Sequence, residues 1–168
     1  MTTPAVTIRP STAADVAVVA AIYAHYVEHS VATFDEVAPS EEDWAGKRAD
    51  ITGRGLPFLV AEVGGVVSGF AYAAPWRWKR AYRHTAEDTI YLAPGATGHG
   101  LGKALLGAVV EAAREAGVRQ LVAVIADSGD GSSAALHRRF GFGEAGVLRA
   151  VGFKHGRWID TALWQLSL

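Results

Sequence analysis

The sequence predicts an α/β (α+β) fold in which one mixed central β-sheet is flanked by helices. Three observations lead there. Consecutive β-rich runs at 57–63, 66–76 and 88–94 are joined by turns, as in an antiparallel meander. The last of them is followed by a glycine loop, a helix-like segment and another β-rich run, a β-loop-α-β unit that places a parallel pair in the same sheet. Finally, 168 residues that are 50% hydrophobic suffice for one domain, residues 1–168, with a substantial core.

Taken in order, residues 6–9 alternate like a short strand. Residues 11–29 offer a hydroxyl cap, an acid in the first turn, and Val16, Val19, Ala20, Tyr23 and Val27 at helical spacing. Residues 40–55 repeat the pattern, with Ser40 as cap, three acids where the helix dipole favours them, and Gly53 or Gly55 as the stop. Gly64-Gly65 suits a two-residue hairpin turn between the next two strands. A helix over 101–117 ends at Gly117, 119–126 reads as a buried strand, and 132–142 as a short helix. Residues 145–168 make two strands around the turn "KHGR".

Sixteen basic against 17 acidic side chains leave no overall bias toward nucleic acid or an anionic membrane. No cysteine is present, which removes disulfides, thiolate metal sites and cysteine nucleophiles and suits a reducing cytoplasm. The N-terminus lacks the pattern of a signal peptide, and no run of about 18 apolar residues occurs. A cytoplasmic protein acting on a small molecule is expected, with neither nucleic acid nor membrane as partner. His25 and His29 lie four apart on one helix without the companion acid of a zinc motif, so no metal site is expected.

The most distinctive stretch is "APGATGHGLGKALL", where Gly98, Gly100 and Gly102 alternate ahead of a helix. Such a loop lets backbone N–H groups approach an anion at the positive end of the helix dipole. The spacing is not the dinucleotide fingerprint G-x-G-x-x-G. Nor is it a Walker loop, because Thr97 stands where its first glycine belongs and Ala104 follows Lys103. The glycines alone leave a phosphate cradle and a simple tight turn both open.

In context, the strand "TIYLAP", this loop, a helix, a strand and the short helix ending "LHRRFGF" resemble the acetyl-CoA core of the GCN5-related N-acetyltransferase (GNAT) superfamily. "FAYAAPWRWKRAYRHTAEDTIYLAP" and "VLRAVGFKHGRWIDTALWQL" resemble its phosphinothricin acetyltransferase branch, which includes enzymes for methionine sulfone and sulfoximine. The resemblance implies a GNAT fold, direct acetyl transfer from acetyl-CoA to an amine, and a homodimer. It implies cofactor contacts from Ile90, Tyr91, Leu92, Thr97, Gly98, His99, Gly100, Leu101, Gly102, Lys103, Asp130 and Ser133. Two positions depart from the pattern. Thr97 replaces the usual Arg or Gln, removing a side-chain phosphate contact, and Asp130 replaces an Asn, whose amide can donate as a carboxylate cannot.

An amino acid offers its amine mainly as ammonium, so a base must remove a proton before attack. Glu87, just ahead of the cofactor strand, occupies the place of the family's catalytic acid, and burial would raise its pKa toward working pH. Asp88 would point to the opposite side of a strand. His137 stands where many members carry a Tyr that protonates the departing thiolate, and could serve as that acid or as a substrate contact. Arg77, Lys79 and Tyr82 supply charge and an aromatic wall for a substrate carboxylate or phosphinate, and Phe34 matches an aromatic of the amino-acid pocket. The favoured activity is acetylation of the α-amine of phosphinothricin or a similar amino acid. Methionine sulfone or sulfoximine, another amine, and a non-catalytic acyl-CoA binding module are the alternatives.

Overall fold

The computed structural model describes residues 3–168. Its elements run β1 (Val6–Pro10), α1 (Val16–His29), α2 (Glu41–Gly53), β2 (Phe58–Val63), β3 (Val66–Pro75), β4 (Thr85–Leu92), α3 (Leu101–Glu115), β5 (Gln120–Ala126), α4 (Ser132–Arg139), β6 (Gly143–Lys154) and β7 (Arg157–Ser167). The strands form one seven-stranded sheet in the order β1-β2-β3-β4-β5-β7-β6. All neighbours are antiparallel except β4 and β5, which the crossover helix α3 makes parallel.

Side chains alternate across the sheet and divide the core in two. Phe58, Val60, Phe70 and Tyr72 meet Val19, Ile22 and Tyr23 of α1 and Trp44 and Ile51 of α2 on one face. Leu59, Ala61, Ala71, Ala73 and Ala86 meet Leu101, Leu105, Leu106, Val109 and Val110 of α3 on the other. Small alanines on the sheet let α3 lie close, and each fully buried Leu or Val there contributes about 1.5–3 kcal/mol.

Local chemistry explains the ends. Ser40 Oγ accepts from the Asp43 N–H while the Asp43 carboxylate accepts from the Ser40 N–H, a reciprocal cap for α2. Gly64 and Gly65 both carry positive φ, as a two-residue hairpin between right-twisted strands requires.

Several boundaries differ from those read in the sequence. The first helix begins as a 3-10 turn at Ala13–Asp15, where the Asp15 carboxylate accepts from the Thr12 N–H and pairs with Arg9. β4 starts at Thr85, so Glu87 lies within the strand, opposite Ala74, and not ahead of it. The short helix stops at Arg139, because Gly141 turns the chain at positive φ and Phe142 enters the core. Only the first half of β5 is buried, and Val124 is exposed. Among the described residues, no helix is long and apolar enough to cross a membrane.

Candidate active site

The parallel pair creates the site. β4 and β5 are paired only from Thr85–Asp88 against Gln120–Ala123. Beyond that point β4 continues to Leu92 against β3, and β5 continues to Ala126 against β7. The sheet therefore parts in its middle, and a cavity of about 780 Å³ opens there. Ile90, Tyr91 and Leu92 line one side, and Val124, Ile125 and Ala126 the other. At the end of β4, the Tyr26 hydroxyl donates to the Leu92 carbonyl over 2.6 Å, which satisfies one polar group that the split leaves without a strand neighbour.

The glycine loop closes one end of this cavity. Gly98 and Gly100 have φ of 84° and 74°, and a Cβ on either would meet no atom within 4 Å, so these positions face open space. Gly100 is the residue before α3, and the Ala104 N–H is the first to bond back to its carbonyl. The N–H groups of Leu101, Gly102 and Lys103 thus precede the first intrahelical acceptor, at the positive end of the helix. Gly102 borders the cavity too, and a Cβ there would lie in ordinary contact with Leu136 of α4 at 3.4 Å. Thr97 and Lys103 also line the cavity, whereas Leu101 is buried in the core and neither it nor His99 borders the cavity.

α4 forms the second wall. Ser133 and Asp130 border the cavity. The Asp130 carboxylate accepts from the Ser132 N–H and hydroxyl, each at 2.8 Å, and these bonds hold its pKa below the usual carboxylate range. Asp130 therefore organises the start of α4.

His137 faces inward, being 2% exposed. Its Nδ1–H donates to the Ser133 carbonyl and its Nε2–H to Asp88 Oδ2, both at 2.7 Å. A carbonyl and an ionised carboxylate only accept, so both contacts favour the doubly protonated ring. Burial alone would lower its pKa, but the hydrogen bond and charge of Asp88, with the Ser133 carbonyl, raise it overall. His137 also borders the cavity, with its two ring nitrogens bonded to the Ser133 carbonyl and the Asp88 carboxylate.

Glu87 and Asp88 fall on opposite faces, as strand alternation requires. Ala74 opposes Glu87 and Ala73 opposes Asp88 in the β3 register. Glu87 lies on the α1/α2 face, where burial raises its pKa and the Asp88 charge adds to the rise, while Lys47 and Arg77 oppose it. Phe34 borders the same space, its ring over the backbone of Gly152. Lys154 is buried and donates to the Ser30 and Thr33 carbonyls at 2.8 Å, fixing the loop that carries Phe34.

The cation set differs from that read in the sequence. Arg77 stacks over Trp76, with 4.7 Å to the ring centroid, and reaches Glu87 by charge. Lys79 and Tyr82 lie at an exposed 3-10 turn, Arg80–Tyr82, and neither lines the cavity. Lys47, Tyr72, Thr161 and Arg139 do line it and were missed. Nothing local marked Lys47, a charged residue on a polar helix, whereas Asp88 could have been suspected as an acid inside an apolar strand.

The cavity suits a long ligand with an anionic end. It has a glycine turn with open space before it, free helix N–H groups, and two buried oxygens without partners, Asp88 Oδ1 and Thr161 Oγ1, on its lining. Comparison with known proteins agrees. Residues 20–142 match the Acetyltransferase (GNAT) family. The chain is 46% identical to a phosphinothricin N-acetyltransferase of Alcaligenes faecalis, covering 92% of this chain and 78% of that one. It is 36% identical to an L-methionine sulfoximine/L-methionine sulfone acetyltransferase of Salmonella typhimurium, covering 96% and 94%. Among solved structures, a GNAT superfamily phosphinothricin acetyltransferase from Sinorhizobium meliloti in complex with acetyl-CoA superposes with a TM-score of 0.92 at 47% identity, covering 97% and 88%.

Proposed function

This chain belongs to the GNAT acetyltransferase family, and from that premise we propose that it transfers the acetyl group of acetyl-CoA to the α-amine of a small amino acid such as phosphinothricin. The observation that carries the proposal is Glu87, a half-buried carboxylate with raised pKa on the wall of the cavity opened by the parted strands. Residues 1–168 act as one catalytic domain in this reading.

The first turn of α3, with Gly98, Gly100 and Lys103, holds the pyrophosphate, and the edges of β4 and β5 flank the pantetheine arm. Acetyl-CoA supplies the thioester carbonyl and the leaving thiolate. Glu87 takes one proton from the acceptor ammonium and exposes the nitrogen lone pair. A second proton leaves the nitrogen as the amide forms and balances the one the thiolate needs. His137, with both N–H groups held inside the protein, acts as a positioning residue that ties α4 to β4 through Asp88. Phe34 and Arg77 contribute an aromatic wall and charge on the acceptor side, with Lys79 and Tyr82 at its outer rim.

Methionine sulfone and sulfoximine are the second reading, favoured by the relative from Salmonella typhimurium. Release of free CoA across phosphinothricin, both methionine derivatives and the common amino acids, at matched acetyl-CoA, decides between them. Turnover with none would leave an acyl-CoA binder. Acetylation of phosphinothricin would confer resistance to that herbicide, and we place the enzyme in the cytoplasm.

We also propose a homodimer through the β6–β7 hairpin. Phe153 and Trp158 are 54% and 69% exposed there, with ring centroids 4.9 Å apart, and Val151 is exposed beside them. Trp158→Glu is expected to convert the dimer to monomer in light scattering, and a monomeric wild type would refute this assembly.

A further inference from the structure

On the α1/α2 face of the sheet, one exposed cation borders the site without an anionic partner. Lys47 of α2 makes neither an ion pair nor a hydrogen bond among the described residues. Its Nζ lies 4.9 Å from the Tyr72 ring centroid and 5.5 Å from that of Trp44, so two aromatic faces hold the ammonium while leaving N–H donors free. It borders the main cavity together with Glu87 and Tyr72, and also an adjoining depression of about 430 Å³ lined by Tyr23, Asp35 and Trp44. Tyr72 lies two residues before Ala74, which opposes Glu87, so all three share one face of the sheet. Lys47 and Arg77 are the two cations whose charges reach Glu87, and Arg77 does not line the cavity.

We infer that Lys47 binds the carboxylate of the acceptor amino acid, placing its ammonium at Glu87. The inference rests on the amino-acid acetylation proposed above. An α-amino acid carries ammonium and carboxylate on one carbon, so the base and the carboxylate anchor must sit close together on one wall. Lysine serves here as a point charge over an aromatic floor.

The test compares an accepted amino acid with its α-carboxamide in steady-state CoA release, using wild type, Lys47→Met and Lys47→Arg. Lys47→Met is expected to raise the amino-acid KM about tenfold or more, while the acetyl-CoA KM and the carboxamide KM move by less than about twofold. Lys47→Arg should restore most of the loss. Lys47 lies on an exposed position of α2, and Lys47→Gln provides a second neutral variant should the Met variant fold poorly. An unchanged amino-acid KM in the neutral variants, or an equal rise for the carboxamide, overturns the assignment while amino-acid acetylation stands. A wild type silent toward every amino acid overturns that activity itself, and the anchor with it.

Discussion

His137 Nε2 and Asp88 Oδ2 meet at 2.7 Å in the interior, with side chains 3% and 1% exposed, and join α4 to the last residue of β4 before the sheet parts. This contact holds together the two walls of the cavity. Its strength depends on pH, because the raised pKa of His137 means that the folded state binds its proton more tightly than the unfolded chain does.

That stabilisation is fully present below the ordinary histidine value of 6.5 and is lost as pH rises through the raised folded value. Wild-type Tm is therefore expected to fall from pH 6 toward alkaline pH, and His137→Gln should lack that component of the fall. Removing one partner of a buried pair costs about 3–5 kcal/mol, so the variant should also be markedly less stable at pH 6. Thermal melts across this range provide the check, and parallel curves would remove the ion pair from the stability of the fold.

The glycine loop yields a prediction about affinity. Gly100 has φ of 74° and open space at its Cβ position. Gly100→Val should weaken acetyl-CoA binding about tenfold or more in calorimetry, because a side chain would stand between the ligand and the helix N–H groups. The strained backbone should cost only about 1–2 kcal/mol of stability. Unfolding without a separate affinity loss would make these glycines a turn device alone.

Gly152 makes the acceptor side testable from a distance. A Cβ there would collide with the Phe34 ring, whose flexible end must swing away. Gly152→Ala should raise the KM for the amino acid several-fold, by about 1 kcal/mol of lost uniform binding, and leave the acetyl-CoA KM unaltered. A rise confined to acetyl-CoA would place Phe34 outside the acceptor pocket.

How much of this was legible in the sequence depended on whether the signal was local. Helical and strand periods, the Ser40 cap, the Gly64-Gly65 turn and the glycine loop are written within a few residues of one another, and each appears within a few residues of where it was read. Strand alternation even separated Glu87 from Asp88 correctly. What escaped depends on contacts between distant segments. The buried contact of His137 with Asp88 joins residues 49 apart in the chain. Asp130 borders the cavity, and its Oδ1 also serves the start of α4, a second role that the altered motif did not show. Lys79 and Tyr82 share a charged stretch with Arg77, yet a 3-10 turn carries them outside the cavity, while Lys47 enters from a helix whose sequence shows only a polar surface.

Glu87 as the base on the acceptor amine is the centre of the mechanism, and kcat/KM measured against pH for wild type and Glu87→Gln tests it most directly. Folding should not confuse the comparison. A carboxyl whose pKa is raised on folding binds protons more tightly in the native state, so it costs stability as pH rises from its ordinary value of 4.5 through the folded value. Glu87→Gln should therefore be at least as stable as wild type at pH 8. At neutral pH its turnover is expected to fall about 10²–10⁴-fold, with the gap narrowing toward pH 10 as free amine replaces ammonium, and with acetyl-CoA affinity unchanged. Parallel profiles with an unaltered rate at neutral pH would contradict the role of Glu87.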